Sequence, residues 1–180
     1  MTNIIYLIGR PGTGKYTIAK EIAKAGYVIC DNQLVNNPIF ELLGYDGFTT
    51  IPEFAWDAIG KIRTNIFEFL SQEPDNNYVL TNVLLEDEGD HMLFKQVEQM
   101  SLKRDSVFFP VKLLISKEEN AKRIQNKERL ERFKSIDIED AYHGGGLINI
   151  DHYNLLELEV TNLTAQEAAE RILKHVEKGN

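Results

Sequence analysis

Asn3-Ile4-Ile5-Tyr6-Leu7-Ile8-Gly9-Arg10-Pro11-Gly12-Thr13-Gly14-Lys15 is the stretch on which the reading of this chain turns. Its first six residues form an apolar run with β-branched and aromatic side chains, stopped by Gly9, as expected of a strand buried on both faces. From Lys15 the period changes. Ile18, Ala19, Ile22 and Ala23 fall on one helical stripe, and Gly26 ends it. Between strand and helix, glycines at 9, 12 and 14 let consecutive backbone amides face one point. The helix N-terminus adds partial positive charge there and Lys15 a full one, so the loop suits the β- and γ-phosphates of a nucleotide. A dinucleotide loop is the nearest rival, with Asp31 as its distal acid. The order here is G-x-x-G-x-G rather than G-x-G-x-x-G, and a lysine follows.

Outward from this stretch the alternation continues. Tyr27 to Cys30 reads as a second strand ending at Asp31, and Tyr78 to Leu80 with its flanks as a third. Phe54, Ala58, Ile62, Ile66 and Leu70 recur every fourth residue and predict a helix over 53–71, with that stripe inward. His91 to Leu102 is a further helix with Leu93, Val97 and Met100 inward. Val107 to Ile115 and Leu155 to Val160 are the fourth and fifth strands. Ser116-Lys-Glu-Glu119 and Thr164-Ala-Gln-Glu167 spell capping boxes, the second opening a last helix with Ala168, Ile172 and Val176 inward. Strands separated by helices pair in parallel through right-handed crossovers. The expected architecture is α/β: a three-layer α/β/α sandwich on a five-stranded parallel sheet, residues 1–180 forming one domain. Ligands of such sheets bind beyond the carboxyl ends of the strands, here Gly9, Asp31, Thr81-Asn82, Ser116 and Thr161.

Composition narrows the function. With 20 Lys+Arg against 28 Asp+Glu the 180-residue chain carries a formal charge of -8, which argues against a nucleic-acid partner. No apolar run reaches the roughly 18 residues of a membrane span, and the N-terminus lacks the order of a signal peptide. The single cysteine, Cys30, excludes an internal disulfide and any multi-cysteine metal site, so a cytoplasmic location is expected. The charge falls in blocks. Residues 1–30 carry four basic residues against one acid, and 101–135 ten against five, whereas 31–100 carry 13 acids against three basic residues. The two basic blocks are the places to look for a bound anion. His143-Gly144-Gly145-Gly146 is similar to the oxyanion-hole sequence of lipases, but no G-x-S-x-G elbow accompanies it, so it reads as a hinge or loop. The four histidines show no metal-ligand spacing.

The loop together with the order of elements resembles the P-loop small-molecule kinases, such as the shikimate, gluconate, adenylate and zeta-toxin-like kinases. Its Gly14-Lys15-Tyr16-Thr17 resembles the loop of a subgroup of uncharacterised bacterial kinase-like ATPases. The resemblance implies a nucleoside-monophosphate-kinase-like P-loop NTPase that moves the ATP γ-phosphate to a hydroxyl or phosphate of a small molecule. It assigns Gly9, Arg10, Pro11, Gly12, Thr13, Gly14, Lys15, Tyr16, Thr17 and Arg123 to the nucleotide. It implies ATP and Mg²⁺ as cofactors. Two departures bear on the metal. Tyr16 stands where the family places a metal-binding Ser or Thr, and Leu80-Thr81-Asn82 stands where many relatives carry a strand-end aspartate. The alternative that these support is a nucleotide-binding switch or sensor, or a slow NTPase with a divergent Mg²⁺ site.

Two readings of Asp31 stay open. In several such kinases a carboxylate here takes the proton of the attacking hydroxyl; equally, an Asp in this position caps the following helix. The resemblance also implies a mobile lid, about 125–146, whose arginines close over the transferring phosphate. Arg123, Arg129 and Arg132 match in position and type, and guanidinium suits the role because its planar fork binds phosphate bidentately. The competing reading is a solvated helix with pairs such as Glu118–Lys122 and Glu128–Arg132. Helices over about 32–72, with Asn36-Asn37-Pro38-Ile39-Phe40 and Trp56, are expected to wall the acceptor. The acidity of that block favours a neutral or cationic hydroxyl compound, or a nucleoside.

Overall fold

The computed structural model describes residues 1–126, 129, 133–134 and 138–179. In chain order the elements are β1 (Asn3–Ile8), α1 (Lys15–Ala23), β2 (Tyr27–Asp31), α2 (Asn32–Leu43), α3 (Glu53–Gln72), β3 (Asn77–Asn82), α4 (Glu88–Lys103), β4 (Val107–Leu114), α5 (Lys117–Ile124), α6 (Ile138–Tyr142), β5 (Leu156–Glu159) and α7 (Ala165–Gly179). The strands form one sheet in the order β2-β3-β1-β4-β5, and every pairing is parallel. β1 is central, with Ile4 opposite Tyr78 of β3 on one side and Phe108 of β4 on the other. The chain leaves β1 toward β2 and later crosses to β4, so the loop after β1 lies at the point where the order reverses.

Why β1 is uninterrupted in its hydrophobicity is plain from the two cores. Ile5 and Leu7 point to the face covered by α1 and α7, where they meet Ile18, Ile22, Ile172 and Val176. Ile4, Tyr6 and Ile8 point to the face covered by α3 and α4, where they meet Leu70, Phe94, Val97 and Met100. Burial of each such side chain contributes roughly 1.5–3 kcal/mol. A third, smaller cluster of Val35, Phe40 and Ile59 joins α2 to α3 beyond the β2 edge.

Two local expectations are corrected. On α3 the inward stripe runs through Ala55, Ile59 and Leu70, one position on from that expected at the N-terminal end, and Phe54 is 70 % exposed. The four-residue spacing drifts about 40° per step around a helix of 3.6 residues per turn, so an unbroken i,i+4 series cannot hold one face for five turns. The first capping box is half made: Ser116 accepts from the Glu119 amide at 3.2 Å, but Glu119 turns outward to Arg123 at 2.8 Å. Thr161 Oγ1 instead accepts from the Ser116 amide. The second box is complete, the Thr164 amide donating to Glu167 at 2.8 Å and the Glu167 amide to Thr164 Oγ1 at 3.2 Å.

Candidate active site

Gly9 to Gly14 curl over the carboxyl end of β1 and hand the chain to α1 through Gly14, whose φ of +89° is left-handed. No side chain caps α1 and its first turn holds no acid, so its N-terminal amides face the loop. Gly12 serves packing as well as curvature. At φ +84°, a Cβ there would lie 2.6 Å from Asn120 Nδ2 and 2.7 Å from Ile124 Cγ1 of α5. Asn120 is buried and donates to the Pro11 carbonyl at 2.8 Å, fixing the loop to α5. Thr13, also buried, turns its hydroxyl back to the Arg10 carbonyl at 2.9 Å.

Lys15 Nζ lies beneath this loop, donating to the carbonyls of Gly9 at 2.5 Å and Arg10 at 2.9 Å. Burial pushes its pKa well below the usual lysine range, and the cations of Lys134 and Arg129 push the same way. Arg129 is itself shifted down by burial. Like charges gathered in one cleft are unfavourable until an anion joins them.

That cleft is a cavity of about 810 Å³ at the carboxyl ends of β1, β2 and β3. One side is formed by Pro11, Gly12, Gly14, Lys15, Tyr16 and Thr17, joined by Lys20, Arg123, Arg129 and Lys134. Its far wall is formed by Asp31, Asn36, Phe40, Trp56 and the strand end Thr81-Asn82. Arg123 is held in place by its bonds to Glu119 and to the carbonyls of Val160 at 3.2 Å and Thr161 at 3.1 Å, so it presents a fixed guanidinium beside Gly14. Arg10 points away from the cavity: it donates to the Gly145 carbonyl and lies 4.9 Å over the Tyr142 ring, with Lys117 5.8 Å from that ring. The His143–Gly146 loop therefore braces the Gly9–Gly14 loop from outside.

Of the residues singled out by sequence, Lys15, Asp31, Arg123 and Arg129 share this cavity. Arg132, with the expected Glu128–Arg132 pair, lies outside the described residues. Of the five strand ends, Ser116 and Thr161 bond each other rather than facing the cleft. On α5 the ion pairs are Lys122–Glu119 and Arg123–Glu119. Asp31 is 5 % exposed and its Oδ1 accepts from the Leu34 amide at 3.2 Å, so the helix-capping reading is realised. It also lines the cavity opposite the loop, which the other reading requires. Lys20 was missed. Lys20 sits one turn after Tyr16 and lies 5.3 Å from its ring, a pairing that i,i+4 spacing could have shown. Asn36, Phe40 and Trp56, expected from the sequence to form one wall, do line the cavity together.

The donor set does not fit a side-chain-held Mg²⁺. The Tyr16 ring is flanked by two ammonium groups, Lys20 at 5.3 Å and Lys134 at 5.5 Å. At the end of β3 the expected carboxylate is replaced by the neutral amide of Asn82, whose Nδ2 donates to Asn32 Oδ1 at 3.0 Å. Among the described residues no group of three His, Cys, Asp or Glu side chains could hold a metal ion. Cys30 is buried, and burial with the neighbouring Asp31 pushes its thiol up to about 11, away from the thiolate form that a nucleophile needs.

No family model matches the chain, and no curated protein sequence matches it. Solved structures do. A gluconokinase from Sinorhizobium meliloti 1021 aligns with TM-score 0.63 and 14 % identity, over 98 % of this chain and 92 % of its own. The APS kinase CysC of Mycobacterium tuberculosis, in complex with AMPPNP and APS, aligns with TM-score 0.58 and 12 % identity over 98 % of each chain. Shikimate kinase from Acinetobacter baumannii, in complex with shikimate, aligns with TM-score 0.55 and 16 % identity, over 100 % of this chain and 96 % of its own. The fold is that of the P-loop kinases. Among the described residues no helix is long and apolar enough to cross a membrane.

Proposed function

We propose that this chain is an ATP-dependent phosphotransferase acting on a hydroxyl of a small molecule. The observation that carries the reading is one cavity with a cationic phosphate cradle on one side and Asp31 on the other. Phosphate oxygens are stronger acceptors than the two carbonyls that hold Lys15, so a triphosphate draws the ammonium forward and relieves its repulsion with Lys134 and Arg129. Arg123 forms a flat wall for the nucleotide. The hydroxyl oxygen of the acceptor attacks the γ-phosphorus, the bond to the β,γ-bridging oxygen breaks, and its electron pair leaves on ADP. The hydroxyl proton passes to Asp31. Lys15, Lys20, Arg129 and Lys134 neutralise the developing charge, the lid supplying the last two.

A second reading, a switch or slow NTPase, draws on Tyr16 and Asn82, which replace the side chains expected to organise a metal. Incubation with ATP labelled at the γ-phosphate and pooled hydroxyl compounds separates the two. Label in an acceptor ester is the expected result. Label released only as inorganic phosphate, equally slowly with every pool, establishes the switch instead.

A further inference from the structure

Mg²⁺ and the lysines of this cleft are alternative partners for the oxygens of a triphosphate. A magnesium site needs hard oxygen donors arranged octahedrally around a small ion. In the first turn of α1 the hydroxyl that the resemblance leads one to expect is replaced by Tyr16, whose own hydroxyl is carried a ring's length further from the backbone. Two ammonium groups lie over that ring, Lys20 Nζ at 5.3 Å from one turn along α1 and Lys134 Nζ at 5.5 Å. Lys134 also pushes the Lys15 pKa down, so its charge is felt both at the ring and at the buried lysine. At the end of β3 the Asn82 amide is neutral, and Thr81 Oγ1 accepts from the Asn32 amide at 3.3 Å. Asp31, the carboxylate that lines the cavity among the described residues, gives Oδ1 to the Leu34 amide at 3.2 Å. A divalent cation entering beside Tyr16 would meet ammonium groups where its ligands should stand.

Resting on the reading of this cleft as an ATP site, we infer that it takes the triphosphate as the metal-free anion in preference to its Mg²⁺ complex. Lys20 and Lys134 stand where the metal would. An ammonium gives phosphate oxygens a point charge and three donors, without the octahedral shell that Mg²⁺ requires. Cation–π attraction to the Tyr16 ring holds both groups beside the first turn of α1. That accounts for an aromatic residue at position 16: it is a platform for cations. Mg²⁺ in solution binds the same oxygens and lowers the negative charge that these lysines attract, so it withdraws nucleotide from the protein.

The test is calorimetric titration of ATP into the full chain, in EDTA and in excess Mg²⁺ at matched ionic strength. ATP is expected to bind at least about tenfold tighter in EDTA. Lys20→Gln, on the exposed side of α1, is expected to lose about tenfold in EDTA and less than about threefold in Mg²⁺. The double variant Tyr16→Ser with Asn82→Asp supplies a hydroxyl and a carboxylate, and its preference is expected to turn toward the Mg²⁺ complex. Equal or tighter binding in Mg²⁺ by the parent chain overturns the inference alone, and that result needs no variant to fold. Equal losses in the two buffers for Lys20→Gln overturn it as well, since the lysine then does nothing that the metal replaces. The absence of saturable binding in either buffer overturns the phosphotransferase reading together with it.

Discussion

At the residue scale, Asp31 and Lys15 each do two things that substitution can separate. Asparagine caps a helix as well as aspartate does, but takes up no proton. Asp31→Asn is therefore expected to unfold within about 0.5 kcal/mol of the parent and to bind ATP normally, while phosphoryl transfer falls about a hundredfold or more. Asp31→Ala adds a stability loss of about 1 kcal/mol from the missing cap. Equal transfer rates in parent and Asp31→Asn would confine the carboxylate to capping. Lys15 has a pH signature. Its folded-state pKa is lowered, so across the window between that value and the ordinary lysine value the native chain holds fewer protons than the unfolded one. Stability linked to this group thus rises with pH through the window. An anion raises the Lys15 pKa, so ATP binding should take up a proton there and weaken as pH climbs. Calorimetry in buffers of different ionisation enthalpy reads this directly; a proton count of zero across neutral to alkaline pH would contradict the lowered Lys15 pKa.

At the scale of elements, the Gly9–Gly14 loop and its two helices are the part most open to prediction, because glycines with different jobs leave different traces. Gly12→Ala is expected to cost about 2–3 kcal/mol, since a Cβ there meets Asn120 and Ile124 of α5 as well as a left-handed φ. Gly14→Ala should cost only about 1–2 kcal/mol, because the nearest atom to its Cβ is Arg123 Nη1 at 3.9 Å. Urea unfolding of the two variants tests the ranking, and equal losses would mean that Asn120 does not pin the loop. The Gly9–Gly14 pattern told of curvature but not of α5, whose contact with Gly12 is fixed only by tertiary packing. The same limit explains α3. Four-residue spacing located the helix within one residue at its C-terminal end, but which side of it faces inward was decided by α2 and the sheet. The strands were more legible: a chain segment buried on both faces, such as Ile4–Ile8, has few other ways to be read.

At the scale of the molecule, the blocks of charge in the sequence proved a partial map. The basic blocks do meet, Lys15 and Lys20 from the first joining Arg123, Arg129 and Lys134 from the second around one cavity. The acidic block does not form an acidic acceptor wall. Of its 13 acids only Asp31 lines this cavity. The wall is instead made of amides and aromatic rings, among them Asn36, Phe40 and Trp56 as expected from the sequence, and these carry no charge for a charge count to find. The central claim is that the cationic cleft at the switch point of the sheet holds the phosphates of ATP. Calorimetric titration of ATP into the parent chain and into Lys15→Ala tests it most directly. Saturable one-to-one binding by the parent, weakened at least a hundredfold in Lys15→Ala with the fold intact, is the expected result; equal affinities in the two proteins would contradict it.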